Sequence, residues 1–222
     1  MNKVLVVSAH PDDETLGCGG TILKHRQCGD RVDWMIMTNI DKTNGWPKEQ
    51  VVMRQTEIAK VADLFGFKET HKLDFPTTRL DGIRTHDLIL AASEVISRLE
   101  PEIIYLPNRS DIHTDHKIVF QAVMSCTKNF RYPYIRRILM YECLSETEFA
   151  PALPENIFMP NVFVDIADFF EKKIEIMNVY KSECMPNPLP RSVDAIESLA
   201  RYRGSSIGRK YAEAFMLVKE II

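Results

Sequence analysis

Two short segments of this 222-residue chain combine histidines with carboxylates. The first is AHPDDE at residues 9–14, and the second is DIHTDH at residues 111–116. The imidazole of His10 and the carboxylate of Asp13 are three positions apart across a turn that enters a helix, so they can converge on one cation. The spacing therefore predicts a metal site at the first segment, with the side chain of Asp12 directed elsewhere.

The second segment supplies further ligands for the same cation. Two histidines, one carboxylate and an open fourth position form one of the ligand sets of catalytic zinc. The set that the two segments favour is His10, Asp13 and His116. The titratable groups that remain beside it are Asp12, His113 and Asp115. Groups of this kind supply the acid and the base that metal-assisted hydrolysis requires.

Simpler explanations account for parts of this pattern. A single histidine or aspartate in a loop is usually a cap, a turn residue or a solvated side chain. Three acids at residues 12–14 also stabilise a helix N-terminus. That explanation requires neither His10 nor a second cluster of histidine and aspartate after another strand, so the combined pattern favours metal binding.

The glycine-rich run GCGG at residues 17–20 suggests a nucleotide-binding loop. However, it lacks the GxGxxG spacing and falls within a predicted helix rather than at a turn. Neighbouring carboxylates would also repel a pyrophosphate. We therefore expect these glycines to allow close helix packing or a close backbone approach near the site.

The elements that must position both segments follow from an alternation of strands and helices. Continuous apolar runs predict strands at residues 4–8, 31–38, 71–73, 102–106, 135–143 and 161–165. Periodic patterns predict helices at residues 14–28, 49–65, 86–99, 168–181 and 191–203, and one that begins near residue 114. This alternation predicts an α/β fold, a Rossmann-like doubly wound and mostly parallel sheet with helices on both faces. Ligands in such folds bind beyond the carboxyl ends of the strands, where both segments begin.

Details of the later elements follow from single residues. In the helix at 49–65, the residues at helical spacings are Val52, Ala59, Ala62 and Phe65. Gly66 supplies a stop for that helix, and Gly204 is expected to end the last one. Three prolines in MPNPLP at residues 185–190 predict a surface loop. This loop and residues 145–160 are candidates for shaping a substrate pocket.

Length and charge exclude several classes of protein. A chain of 222 residues is predicted to form one domain, residues 1–222. With 28 basic and 31 acidic side chains, it has no basic excess for binding nucleic acid. No apolar run is long enough to span a membrane or to form a signal peptide. Five scattered cysteines without a CxxC pair suggest neither disulfides nor a Cys-rich zinc site, so a cytoplasmic location is expected.

The motifs resemble those of the PIG-L/LmbE-like family of zinc-dependent N-acetylglucosaminyl deacetylases. The family motif AHPDDE is complete at residues 9–14. The second motif, usually HPDH, is His-Thr-Asp-His at residues 113–116 and departs only at its second position. Further similarities are an R-x-x-E pattern at Arg54 and Glu57, and the RG and YAEAF segments at residues 203–204 and 211–215.

Carried over by position, the resemblance implies a role for each site residue. Zinc is bound by His10, Asp13 and His116. Asp12 acts as the general base on the zinc-bound water. His113 stabilises the oxyanion or protonates the leaving amine, and Asp115 orients or electrostatically tunes His113. Arg54 contacts substrate, whereas without the resemblance Arg54 and Glu57 would be interpreted as an ordinary ion pair on a helix face.

The resulting prediction is a zinc-dependent hydrolase that removes an N-acetyl group from an N-acetylglucosamine-type unit of a small-molecule sugar conjugate. Fe²⁺ as the ion loaded in the cell and a homo-oligomeric state are left open. One alternative is a zinc amidase that acts on a non-sugar amide metabolite. A second alternative is a noncatalytic sugar- or metal-binding relative, which Asp12 and His113 disfavour because a site that only binds needs neither.

Overall fold

A computed structural model describes residues 1–222, except for the side chain of Asn44. Its seven strands form one sheet in the order β3-β2-β1-β4-β5-β7-β6. The strands are β1 (Lys3–Ser8), β2 (Arg31–Asn39), β3 (Thr70–Pro76), β4 (Ile103–Pro107), β5 (Arg137–Tyr141), β6 (Val162–Asp165) and β7 (Ala212–Glu220). The first five strands pair in parallel, and β7 runs antiparallel to both β5 and β6. The predicted α/β fold with a mostly parallel sheet is confirmed.

Six α-helices connect or follow these strands. They are α1 (Asp13–Gln27), α2 (Lys48–Phe65), α3 (Thr85–Leu99), α4 (Thr114–Ser125), α5 (Phe170–Met177) and α6 (Val193–Ser205). One apolar cluster on the sheet includes Ile22 of α1 and Ile58 of α2, and the cluster on the opposite face includes Leu88 of α3 and Val119 of α4. Helices therefore cover both faces, and the sheet is buried between them.

The order of the strands locates the site. From β1 the chain proceeds to β2 and β3 on one side, and β4 and β5 lie on the other side. The strand order thus reverses between β1 and β4, which is the point where doubly wound sheets leave a crevice for ligands. The loops that leave the carboxyl ends of β1 and β4 are the two segments rich in histidine and aspartate.

Glycines of α1 pack against the sheet, as the sequence predicts. A Cβ atom added at Gly17 would lie 2.2 Å from the ring of Tyr141, and one added at Gly20 would lie 2.6 Å from Ile166. Side chains at these positions have no room. The glycines therefore bring α1 close to β5 and to the end of β6.

Of the apolar residues at helical spacings in α2, Phe65 is buried but Val52 is 56% exposed. The other buried apolar residues of α2 are Ile58 and Val61. Only the second half of α2 packs on the sheet. Its first half lies along an open cleft, where residues such as Met53 form the wall.

Two other boundaries differ from the prediction. The helix predicted at residues 168–181 is shorter, because α5 ends at Met177 and the chain then turns inward to bury Tyr180. The last helix continues through Gly204 to Ser205 instead of ending there. Gly204 is required by packing, since a Cβ atom would lie 2.6 Å from the backbone oxygen of Arg209.

None of the helices that the structure describes combines the length and the apolar character needed to cross a membrane.

Candidate metal centre and cleft

A cleft of about 320 Å³ opens at the carboxyl ends of β1 and β4. The predicted site residues on its wall are His10, Asp12, Asp13, Arg54 and His113. Asp115 and His116 are fully buried beneath them. The structure therefore brings all seven predicted site residues together, although the first and the last, His10 and His116, are 106 positions apart in the chain.

One candidate ligand set is His10, Asp13 and His116, whose potential ligand atoms all lie within 4.8 Å of one another. Oδ1 of Asp13 is 3.3 Å from Nε2 of His116, and Oδ2 of Asp13 is 3.9 Å from Nδ1 of His10. The backbone N–H of His10 also donates to Oδ2 of Asp13, at 2.8 Å. This contact holds the carboxylate on the turn that enters α1.

His116 has the surroundings of a metal ligand. Its Nδ1 is 2.9 Å from Oδ2 of Asp111, and that carboxylate accepts further hydrogen bonds from Asn108 and Thr147. A carboxylate on the far ring nitrogen is the usual outer partner of a metal-bound histidine. Nε2 of His116 is buried and has no hydrogen-bond partner among the described residues, and it points at Asp13. These residues fit a divalent cation.

Electrostatics also favours a cation at this point. Burial disfavours the charged form of His116, but the carboxylates of Asp13 and Asp111 raise its pKa well above the usual range. Burial likewise opposes the charge on Asp13, and His116 and His10 nevertheless lower the pKa of that carboxyl. The carboxylates of Asp13 and Asp111 thus favour positive charge at His116, and a metal cation bound there would supply it in place of a proton.

A second set with metal-ligand spacing is His10, His113 and Asp115. In this set, both carboxylate oxygens of Asp115 already have other partners. Oδ2 of Asp115 lies 3.0 Å from Nε2 of His10 and accepts from the backbone N–H of Thr78, while Oδ1 accepts from the N–H of Leu80. Asp115 therefore has the contacts of a residue that orients His10, which leaves the other set as the better metal site.

His113 lies at the N-cap of α4, on the cleft wall. Its Nδ1 accepts a hydrogen bond from the backbone N–H of Asp115 at 3.1 Å, so a neutral ring carries its proton on Nε2. Burial and the nearby His10 and His116 lower the pKa of His113 to about 4, against the opposing charge of Asp115. His113 is thus a neutral hydrogen-bond donor near pH 7.

Asp12 has an unusual backbone and an unusual partner. It stands at the N-cap position of α1 with φ of 135° and makes no capping hydrogen bond with its side chain. Instead, its Oδ2 accepts from Nη1 of Arg191 at 3.0 Å. Burial, together with Asp13 and Glu183, raises the pKa of Asp12 well above its usual range, and the charge of Arg191 opposes the shift.

Arg54 forms an ion pair on its helix and also lines the cleft. Its Nε lies 3.3 Å from Oε2 of Glu57, which is the expected ion pair on the helix face. Its Nη1 donates to the backbone oxygen of Pro11 at 2.9 Å, and its side chain lines the cleft. Nη2 of Arg54 pairs with Glu183.

Sequence reasoning missed several residues of the site. Asp111 lies in the second segment but received no role, and Glu183 and Arg191 flank a proline-rich loop that offered no motif. Ser145 and Glu146, at the start of the candidate loop at residues 145–160, line the cleft. Ser182, Glu183 and Arg191, which flank the loop at residues 185–190, line it as well. Two residues of α2, Gln50 and Met53, and nearby Trp46 complete another wall.

Comparisons with known proteins agree with these motifs. Residues 5–127 match the PIG-L family model, described as GlcNAc-PI de-N-acetylase. The chain is 27% identical over 228 residues to the diacetylchitobiose deacetylase of Thermococcus kodakarensis, an alignment that covers 100% of this chain and 85% of the relative. It is 30% identical over 185 residues to the uncharacterized deacetylase YaiS of Escherichia coli, which covers 81% of this chain and 90% of that protein.

A solved structure shows a similar fold. The N,N′-diacetylchitobiose deacetylase of Pyrococcus horikoshii, complexed with its inhibitor MPG, aligns with a TM-score of 0.77 and 23% sequence identity. The alignment covers 98% of this chain and 84% of the other chain. The likeness therefore extends over nearly the whole sheet and its helices.

Proposed function

The chain belongs to the PIG-L family, and from that premise we propose that it is a metal-dependent N-deacetylase. The proposed reaction is hydrolysis of the N-acetyl group on an N-acetylglucosamine-type unit of a sugar conjugate. One observation carries the proposal: a set of two histidines and one carboxylate lies directly beside Asp12, and Oδ1 of Asp12 accepts no hydrogen bond from any described residue. A ligand set and an adjacent free carboxylate oxygen are what hydrolysis by activated water requires.

His10, Asp13 and His116 would hold the ion. Two imidazoles and one carboxylate suit zinc, and Fe²⁺ also accepts this set. Zinc supplies Lewis-acid chemistry, because it acidifies water and polarises a carbonyl group. Asp111 would support the site by fixing the ring of His116, as Asp115 does for His10.

Asp12 is the proposed general base. Asp12 lines the cleft next to the ligand residue Asp13, and its Oδ1 accepts no hydrogen bond from a described residue. His113 is proposed to donate a hydrogen bond from Nε2 to the oxyanion. The contact with the N–H of Asp115 supports that role over protonation of the leaving amine, because it directs the single proton of a neutral ring to Nε2.

The substrate class follows from the relatives. Both curated relatives named above are deacetylases, and one is named for diacetylchitobiose, a disaccharide of N-acetylglucosamine. Arg54 is proposed to contact the substrate from the cleft wall. We place this chemistry in one domain in the cytoplasm, where the five free cysteines of the chain would stay reduced.

The decisive experiment measures acetate release and bound metal on the same sample. Metal-stripped protein is incubated with and without one equivalent of zinc, and with N-acetylglucosamine, N,N′-diacetylchitobiose and N-acetylated amino acids. Release from the sugars that depends on zinc is expected. Release only from the amino acids would instead identify an amidase for non-sugar amides, and stoichiometric zinc without any release would identify a binding protein.

Two substitutions separate the roles of base and ligand. Asp12→Ala is expected to keep zinc and to lose turnover by about 10²- to 10⁴-fold, the usual contribution of a positioned base. His116→Ala is expected to lose zinc. Full activity of the Asp12 variant would contradict the assignment of the base, and unchanged metal content in the His116 variant would reject that ligand.

A further inference from the structure

We propose that Arg191 is a positioning residue for this reaction: its guanidinium holds one oxygen of the Asp12 carboxylate so that the other oxygen faces the substrate. The inference rests on the proposed function. It concerns a residue that lies 179 positions from Asp12 and outside every motif in the sequence.

The side chain of Asp12 needs an external partner. An aspartate before a helix normally accepts a hydrogen bond from the first turn of that helix. Asp12 makes no such bond, and its φ of 135° is one that side chains other than glycine rarely adopt. The N–H of Asp12 is instead bonded to Oε2 of Glu14, at 3.0 Å. This backbone directs the carboxylate away from α1 and towards Arg191.

Arg191 is held at both its ends. Its backbone oxygen accepts from the N–H of Met185, and the next residue, Ser192, caps α6 by accepting from the N–H of Ala195. At the other end, Nη1 donates to Oδ2 of Asp12 at 3.0 Å and to Oε2 of Glu183 at 2.8 Å. The guanidinium is therefore fixed by the fold before any substrate arrives.

Glu183 connects Arg191 to a second arginine and closes a ring. The other oxygen of Glu183 pairs with Arg54, whose Nη1 donates to the backbone oxygen of Pro11. The chain of contacts thus runs from Pro11 through both arginines to Asp12, the next residue. Two successive residues of the first motif, Pro11 and Asp12, are thus each bonded by an arginine, and these contacts restrict the turn that carries the base.

The contact leaves half of the carboxylate unused. Arg191 reaches Asp12 through one nitrogen and one oxygen, and among the described residues none donates to Oδ1. A forked ion pair through both oxygens would occupy the base. A single contact fixes the orientation of the carboxylate and keeps Oδ1 available to accept a proton. Arg191 contacts none of the proposed metal ligands by hydrogen bond, so its loss is expected to spare metal binding.

The test compares Arg191→Met, Arg191→Lys and a control variant. Methionine removes the charge, and we expect kcat to fall on the order of 100-fold, the cost of misplacing a reacting group by about 1 Å. Zinc content is expected to stay at one equivalent and KM within about threefold of wild type. Because both contacts use Nη1 alone, the ammonium of lysine can replace them, and Arg191→Lys is expected to retain kcat within about fivefold.

The control is Arg203→Met. Arg203 pairs with Glu142 and has a similarly covered side chain, 16% exposed against 19% for Arg191, but it does not line the cleft. Its loss is expected to lower the melting temperature without lowering kcat. A rise in KM at unchanged kcat for Arg191→Met would make Arg191 a substrate contact and overturn the proposal.

The remaining outcomes are equally decisive. Unchanged kcat in Arg191→Met, or a loss of zinc, would show a structural role only. If methionine prevents folding, Arg191→Lys decides: a folded, zinc-loaded lysine variant without activity also contradicts the inference. Absence of turnover in the wild-type protein would be a failure of the proposed function itself, and the same assay detects it separately.

Discussion

A buried ion pair between Glu213 of β7 and Lys173 of α5 lies against the middle of α1. Glu213 on β7 accepts hydrogen bonds from the N–H groups of Gly20 and Thr21, at 2.9 and 2.7 Å. Nζ of Lys173 lies 2.7 Å from Glu213 and also donates to the backbone oxygen of Leu16. Both charged side chains are 4% exposed. The pair ties the middle of α1, whose first residue is a proposed ligand, to β7 and α5.

The perturbation is Glu213→Gln, which keeps the shape of the side chain and removes its charge. Lys173 is then a buried ammonium without a counter-charge, and breaking a buried pair from one side costs about 3–5 kcal/mol. Domains have total stabilities of about 5–15 kcal/mol, so this is a large fraction. For a chain of this length, the expected fall in melting temperature is about 6–20 °C.

Urea unfolding followed by circular dichroism measures the change. Adding Lys173→Met to Glu213→Gln removes the unpaired charge, so the double variant is expected to recover part of the loss, and a double-mutant cycle gives the coupling. The control is Glu175→Gln, which breaks the exposed pair of α5 with Lys172 and is expected to cost less than about 1 kcal/mol. A change below about 1 kcal/mol in Glu213→Gln would refute the reasoning.

Three further predictions concern the site and its packing. Burial raises the pKa of Glu14 to about 7, so the stability that its proton contributes is complete below about pH 4.5 and is lost as pH rises through 7. In metal-stripped protein, the free energy of unfolding is therefore expected to decline by an amount on the order of 3 kcal/mol over this range, and Glu14→Gln is expected to abolish the decline. Identical pH profiles of urea unfolding for the variant and the wild type would contradict this. Gly17→Ala is expected to destabilise by about 1–3 kcal/mol, because the new methyl group would lie 2.2 Å from Tyr141, and a variant as stable as wild type would disprove the close packing. Free zinc at about 1,000 times its Kd is expected to add about 4 kcal/mol to the stripped protein, whereas His116→Ala should show no such shift in thermal unfolding.

The metal half of the site can be predicted from sequence because each part of it is local. His10 and Asp13 are three positions apart on one turn, and His113 and His116 are equally close on another. Each turn follows a run of apolar residues that can only be a buried strand. Parallel strands present their carboxyl ends at one edge of a sheet, and because β1 and β4 are adjacent there, the two turns meet.

Predictions failed where packing depends on distant parts of the chain. The apolar spacing of α2 does not reveal that its first half borders a cleft and that Val52 is exposed. Gly204 has the signature of a helix end, yet the backbone near Arg209 requires it inside α6. In both places the packing comes from neighbours that no local pattern encodes.

The part of the site around Asp12, Glu183 and Arg191 depends on such distant contacts, and Glu14 makes one of them. Its Oε1 accepts from the hydroxyl of Tyr180 at 2.9 Å, across 166 positions of the chain, and its Oε2 accepts from the N–H of Asp12. The buried carboxyl group of Glu14 thus bonds Asp12, the proposed base, and Tyr180, which begins the segment that brings Glu183 and Arg191 to Asp12. Glu14 belongs to neither of the two candidate ligand sets, and its carboxyl group bonds both partners at once.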